Sequence, residues 1–110
     1  MGEEYVVVLT TTGSAEAANE LARGIVDAYL GACVQVAGPI QSTYRWRGAV
    51  HVDQEWQCLV KTTMARLDEL VAHIKANHSY DVPEIIATPI VAGSPEYLSW
   101  VQEYSTAPTG

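Results

Sequence analysis

At 110 residues, with 48% hydrophobic side chains and a formal charge of −7, the chain fits one globular domain built on a single modest core. The acidic balance excludes a nucleic-acid backbone as the main partner, because phosphate binding needs a basic patch. No apolar run approaches the roughly 20 residues of a membrane span, no signal peptide is visible, and the cytoplasm is the expected location.

Cys33 and Cys58 sit in apolar runs and form no Cys-x-x-Cys pair. Buried free thiols are therefore expected, and a structural zinc site is not. Phe is absent, so six Tyr and three Trp supply the aromatic bulk. There is no linker, low-complexity tract or solenoid repeat.

Tyr5 to Leu9 is a β-branched run ending in three threonines; it predicts a strand buried on both faces. Ser14 follows as a helix N-cap, with Glu16 in the first turn, where a negative charge suits the dipole. Ala18, Leu21, Ala22, Ile25 and Tyr29 recur at helical spacing, and Gly31 is the expected C-terminal stop. Two long strand-like segments come next, about Ala32 to Arg45 and Ala49 to Lys61. A three-residue loop, Trp46-Arg47-Gly48, sets Tyr44 against Val50 and Val36 against Cys58, so apolar meets apolar on one face. It also gives Gly48 the left-handed position of a type I turn with a G1 bulge. A two-residue loop at Arg47-Gly48 pairs Tyr44 with His51, apolar against polar, and is disfavoured. Gly38-Pro39 offers a bulge that shifts the far half of the register.

Thr62-Thr63 offers the N-cap of a second helix, with the stripe Met64, Leu67, Leu70, Val71 and Ile74, ending at Asn77-His78. Pro83 opens a fourth strand, Glu84 to Val91. Gly93-Ser94-Pro95-Glu96 starts a last helix, with Ser at N-cap and Pro at N1. Its stripe of Tyr97, Trp100, Val101 and Tyr104 reads as packing of that helix, and the tail from Ser105 to Gly110 as frayed. The order β-α-β-β-α-β plus a terminal helix is the ferredoxin-like pattern, an α+β fold with both crossover helices on one face of an antiparallel sheet.

The hairpin strands run to about 13 residues each, against a usual 5–6. They overhang the short first and fourth strands, and Tyr44, Trp46 and Trp56 need cover, so self-association is expected.

The densest chemistry lies in His78-Ser79-Tyr80-Asp81-Val82-Pro83-Glu84, a surface connection with an imidazole, a phenol and two carboxylates. His78, Tyr80, Asp81 and Glu84 form either a ligand cleft or a braced loop. His78 is a metal-ligand candidate or a helix-end His. Lys61 ends the neighbouring hairpin strand and is placed to balance Glu84, as a salt bridge or as part of the cleft. His51, Asp53 and Glu55 alternate along one strand face, too spread for a single ion, and read as a solvated edge. Arg45, Trp46 and Arg47 read as contacts to a neighbouring subunit rather than a nucleic-acid patch. Gly13-Ser14 is a weak anion site without the glycines and lysine of a phosphate loop. His73 lies off its helix's apolar stripe and is expected to face solvent. There is no Ser-His-Asp order, HExxH or GxSxG. An enzyme using Glu84 or His78 as general base near Tyr80 is thus the last-ranked reading.

Leu30-Gly31-Ala32-Cys33-Val34, Ser42-Thr43-Tyr44-Arg45-Trp46-Arg47-Gly48, Glu55, Lys61-Thr62, His78 to Ile85, and Gly93-Ser94-Pro95-Glu96-Tyr97-Leu98-Ser99-Trp100 span almost the whole chain. Together they resemble the CutA divalent-cation-tolerance proteins. The resemblance implies a ferredoxin-like protomer in a homotrimer locked by the long hairpins, architecturally near PII-type signalling trimers. It implies a non-enzymatic protein that binds copper, Cu(II), or another divalent cation. Copper binding in that family is ascribed to a thiol near the end of the first strand and to adjacent histidines before Tyr-x-x-Pro-Glu. This chain has Thr10 and Asn77 at those positions, which leaves His78. The expected cleft residues are Lys61, Tyr80 and Glu84, with Tyr44, Trp46 and Trp56 at the trimer interface. The competing expectation is a PII-like sensor with a small anionic ligand in inter-subunit clefts.

Overall fold

The computed structural model describes residues 4–109. The elements are β1 (Tyr5–Thr12), α1 (Ala15–Asp27), β2 (Cys33–Trp46), β3 (Ala49–Thr63), a 3-10 turn (Met64–Arg66), α2 (Leu67–Ala76), β4 (Ile85–Ile90) and α3 (Pro95–Tyr104). The strands form one antiparallel sheet in the order β2-β3-β1-β4. This is the ferredoxin-like arrangement that the order of elements predicted.

The core lies between one sheet face and the two crossover helices. Val6, Val8, Cys58 and Val60 meet Ala18, Leu21, Ile25, Leu70 and Ile74, all buried. Burying each of the larger of these side chains contributes about 1.5–3 kcal/mol. Two of the three expected caps form: the Ser14 hydroxyl accepts from the Ala17 amide, and Ser94 does the same for Tyr97, with Pro95 at the first helical position. The third does not: Thr63 makes no side-chain cap bond, a 3-10 turn intervenes before α2 starts at Leu67, and Met64, expected in that helix's apolar stripe, is exposed.

β1 is fully buried on one face, with Val6, Val8 and Thr10 inside; on the other, Tyr5, Val7 and Leu9 are half-buried and only Thr11, at the cleft end, is buried. The two crossover helices cover just one side of the sheet, so the alternate residues face the other side. Helix α3 covers part of that second side, where the Tyr5 hydroxyl donates to Gln102 and Val101 is buried. Tyr97, Trp100 and Tyr104 stack on one another and remain about 40% exposed, so Val101 alone carries the packing expected of that stripe. The tail does not fray from its start: Ser105 is fully buried, and Gly110 lies outside the described residues.

Helix α1 stops before Gly31. Tyr29 takes the left-handed position at φ 58°, while the Leu30 amide donates to the Ile25 carbonyl and the Tyr29 amide to Val26. This is a Schellman closure with Tyr where Gly is usual. Gly31 instead permits close packing, since a Cβ there would stand 2.4 Å from Val60 Cγ1.

The hairpin register also departs from expectation. β2 and β3 are joined by the two-residue loop, Arg47 (φ 52°) and Gly48 (φ 82°), and Tyr44 pairs with His51. Two positive φ values make a type I′ turn, which matches strand twist. Apolar-against-polar pairing carries no penalty there because the outer ribbon packs on no core of its own. At Gly38-Pro39 two residues of β2 oppose Trp56, and this bulge restores the Val36–Cys58 pair at the base. A Cβ on Gly38 would lie 2.6 Å from the Trp56 ring, so Gly lets the indole cross the backbone. Trp56 therefore packs at the hairpin base against its own core and not at the tip.

Only Trp56–Thr63 of β3 pairs with β1, so residues 40–55 continue as a two-stranded ribbon. The radius of gyration is 14.7 Å, against about 13 Å for a compact chain of this length.

Candidate functional site

Where the ribbon leaves the sheet, it meets the 77–84 connection and encloses a cleft of about 510 Å³. Thr11 of β1, Ser42, Tyr44 and Trp46 of β2, Glu55 of β3, and Tyr80, Asp81 and Glu84 of the connection line it. The geometry follows from the topology. β1 ends beside β3 at Trp56, so Glu55 is the first β3 residue beyond the shared sheet. The connection returns from α2 to β4 across the same end.

Glu55 is only 8% exposed. Its Oε2 accepts from the Tyr80 hydroxyl at 2.9 Å. Burial, together with this bond to a carboxylate, pushes the Tyr80 pKa up to about 12, so the phenol stays protonated. The neighbouring Tyr44 hydroxyl donates to Asp53, which raises the Tyr44 pKa as well. His51 stacks on the Tyr44 ring at 5.6 Å. The strand-edge set His51, Asp53 and Glu55 is thus not uniformly solvated: Asp53 braces Tyr44, and Glu55 is the buried anion of the cleft. The sequence held one pointer to Glu55, its place at the point where the long strand outruns its neighbour.

His78 is committed within the chain. Its Nε2 lies 2.6 Å from the Thr11 carbonyl, and its Nδ1 accepts from the Tyr80 amide at 3.1 Å. A carbonyl only accepts, so Nε2 carries the proton, and no ring nitrogen is left for a metal. His78 therefore positions Tyr80, at 4.6 Å between ring centroids, rather than acting as a ligand. Thr10 is fully buried on the core side, and the Asn77 amide caps α2 by donating to the His73 carbonyl. Among the described residues no three His, Cys, Asp or Glu side chains come together to hold a metal.

Lys61 does not meet Glu84. It pairs with Val7, while Ile85 pairs with Thr10 on the far side of β1. That leaves about four rungs, roughly 13 Å, between them along the sheet. Lys61 donates to Gln35 instead. Tyr80 and Glu84 do line the cleft, as does Trp46 with Tyr44. Arg47 stands 5.4 Å over the Trp46 ring and 3.8 Å from Asp81, bridging the hairpin turn to the connection at the rim. His73 is half-buried above Gly24 rather than solvated. The Ser14 hydroxyl is used as a cap. Neither Cys33 nor Cys58 is in a disulfide, and burial pushes the Cys58 thiol up to about 11. No helix among the described residues is long and apolar enough to cross a membrane.

Residues 6–104 match the family described as CutA1 divalent ion tolerance protein. The divalent-cation tolerance protein CutA of Thermus thermophilus is 46% identical over 97 residues, covering 88% of this chain and 94% of that one. The chloroplastic CutA of Arabidopsis thaliana is 44% identical over 97 residues, 88% of this chain. The chain spans about half the length of the plant relatives it matches. Among solved structures, CutA1 from Oryza sativa superposes with a TM-score of 0.91 at 42% identity, covering 97% of both chains. The Thermus thermophilus protein gives 0.89 at 45% identity, covering 91% of this chain and 97% of that one.

Proposed function

The chain belongs to the CutA1 divalent ion tolerance family, and from that premise we propose that it is a non-enzymatic, cytoplasmic, cation-binding homotrimer. The observation that carries the cation reading is the charge of the cleft. Its ionisable carboxylates Glu55, Asp81 and Glu84 are all acidic, and no Lys or Arg lines it. Such a wall recruits cations and repels the small anion of the competing PII-like reading. Since one protomer gathers no three metal ligands, copper or another divalent cation would be shared between copies. Oxygen donors of this kind favour hard divalent ions over copper.

Unpartnered surface supports the trimer. Val50 and Val52 are 59% and 55% exposed, and Ile86 on the open sheet face is 50% exposed. A lone two-stranded ribbon is marginal in water, so its order calls for a neighbour.

Sedimentation equilibrium and calorimetric titration with Zn(II) and Cu(II) test this reading. A mass three times the 11.9 kDa of one chain, with saturable heat that falls in Glu84→Gln, is expected. A monomer at micromolar concentration, or tight binding of phosphate or nucleotide in place of the metals, overturns it.

A further inference from the structure

Within the chain, side chains hold the connection between α2 and β4. None of the backbone–backbone hydrogen bonds outside the helices and strands involves residues 78–84. The His78 ring makes two of the bonds that fix it. Nε2 reaches the Thr11 carbonyl near the end of β1, and Nδ1 accepts from the Tyr80 amide. The Tyr80 hydroxyl in turn donates to Glu55 on β3. Thr11, His78, Tyr80 and Glu55 thus form one relay of bonds from β1 through the connection to β3. All four members belong to one protomer, whatever covers the ribbon.

The relay is complete in one protonation state of the imidazole. A carbonyl accepts and an amide donates, so the ring must donate from Nε2 and accept at Nδ1. A ring with a second proton donates from both nitrogens. Its bond to the Thr11 carbonyl survives and becomes charge-assisted. At Nδ1, however, N–H then faces N–H. Imidazole is the side chain that changes charge between about pH 5 and 8. The surrounding elements admit a positive ring: β3 brings Asp53 and Glu55, β2 the Tyr44 phenol, the connection Asp81 and Glu84, and the first turn of α1 Glu16. Against these stand Arg47 at the hairpin turn and His73 and Lys75 in the last turn of α2. β1 brings only threonines at this end.

We propose that His78 is a pH-sensitive latch on the wall of the cleft. Neutral, it pins the Tyr80 amide and so keeps the Tyr80 phenol on Glu55. Protonated, it keeps Thr11 and releases Tyr80. The consequence, a cleft wall that loosens in acid, rests on the cation reading of the same cleft; the latch itself is tested without ligand.

Amide hydrogen exchange of the ligand-free full chain, corrected for intrinsic rates and compared at about pH 8 and about pH 5.5, tests it. Protection of the Tyr80 amide is expected to fall at least roughly fivefold in acid, for loss of its acceptor. Val8 and Val60, paired in the buried base of the sheet, report global opening and are expected to hold. His78→Asn places an amide oxygen where Nδ1 stood and does not titrate, so Tyr80 is expected to stay protected at both pH values. Should this variant fail to fold, the ring nitrogen signals of the wild type decide. They are expected to show the Nε2–H tautomer at pH 8 and a proton gained at Nδ1 over the range in which Tyr80 loses protection. Equal Tyr80 protection at both pH values, the same acid loss in His78→Asn, or an Nδ1–H tautomer at pH 8 overturns the proposal. Zn(II) titration at pH 8 tests the cation reading separately: its failure leaves the latch standing, and a failed latch leaves Zn(II) binding untouched.

Discussion

The base of the sheet and the overhanging ribbon are made of the same two strands, yet they are held by different physics. Between Cys33 and Ala37 the hairpin rests on β1 and two helices, and every second residue of β3 is buried. Beyond Gly38-Pro39 the same strands have only each other, and Val50, Val52, Tyr44 and Trp46 stand in solvent. The base is therefore specified by burial within the chain. The ribbon is specified within the chain by its turn and by the Tyr44–Asp53 and Tyr80–Glu55 contacts. The cleft sits at the joint between these two regimes, where a carboxylate is buried without the helices having buried it.

That contrast has a sharp consequence for mutation. Ile74→Ala removes a fully buried side chain of the base and is expected to cost about 2–5 kcal/mol. The loss should appear in urea unfolding independently of protein concentration. Gly31→Ala forces a Cβ against Val60 and Ile25 and should cost about 1–3 kcal/mol by overpacking. A loss within about 0.5 kcal/mol, the range of a surface change, would mean that the α1–β3 approach is looser than described.

Val52→Ala on the ribbon tests the other regime. In a lone protomer it should change stability by no more than about 0.5 kcal/mol. If copies of the chain cover the ribbon, the same change should lower the unfolding midpoint more at low protein concentration than at high.

The smallest effect expected is at the joint. The Tyr80 pKa is raised from 10.0 to about 12 by burial and by Glu55. The folded state thus favours the neutral phenol, and that stability is full below pH 10 and is lost as pH rises through 12. Tyr80→Phe should flatten this alkaline slope and remove the last tyrosinate signal from a spectrophotometric titration. An unchanged titration would place Tyr80 outside the Glu55 contact.

Much of this was legible in one dimension. Helical and alternating spacing depends on local backbone geometry, so the elements, the caps at Ser14 and Ser94 and the crossover topology could be read directly. The site was only half legible. Tyr80 and Glu84 line a cleft within the protomer, but Lys61 lies about four rungs, roughly 13 Å, away along the strands, because sheet register, not sequence distance, decides which residues on β1's two neighbours meet. His78 looked like a free ligand because a side chain's hydrogen-bond partners are invisible in sequence, and its partner Thr11 is 67 positions away.

The sequence by itself determined the four strands, the three helices, the acidic balance and an overlong hairpin. Only the tertiary structure decided that a two-residue turn and a bulge share the register. It also decided that Trp56 belongs to the base, that Glu55 is buried beside Tyr80, and that both ring nitrogens of His78 are used within the chain. The reason is physical: periodicity and capping are set by neighbours in the chain. Burial of a carboxylate and the partners it finds depend on which distant strands and loops arrive beside it.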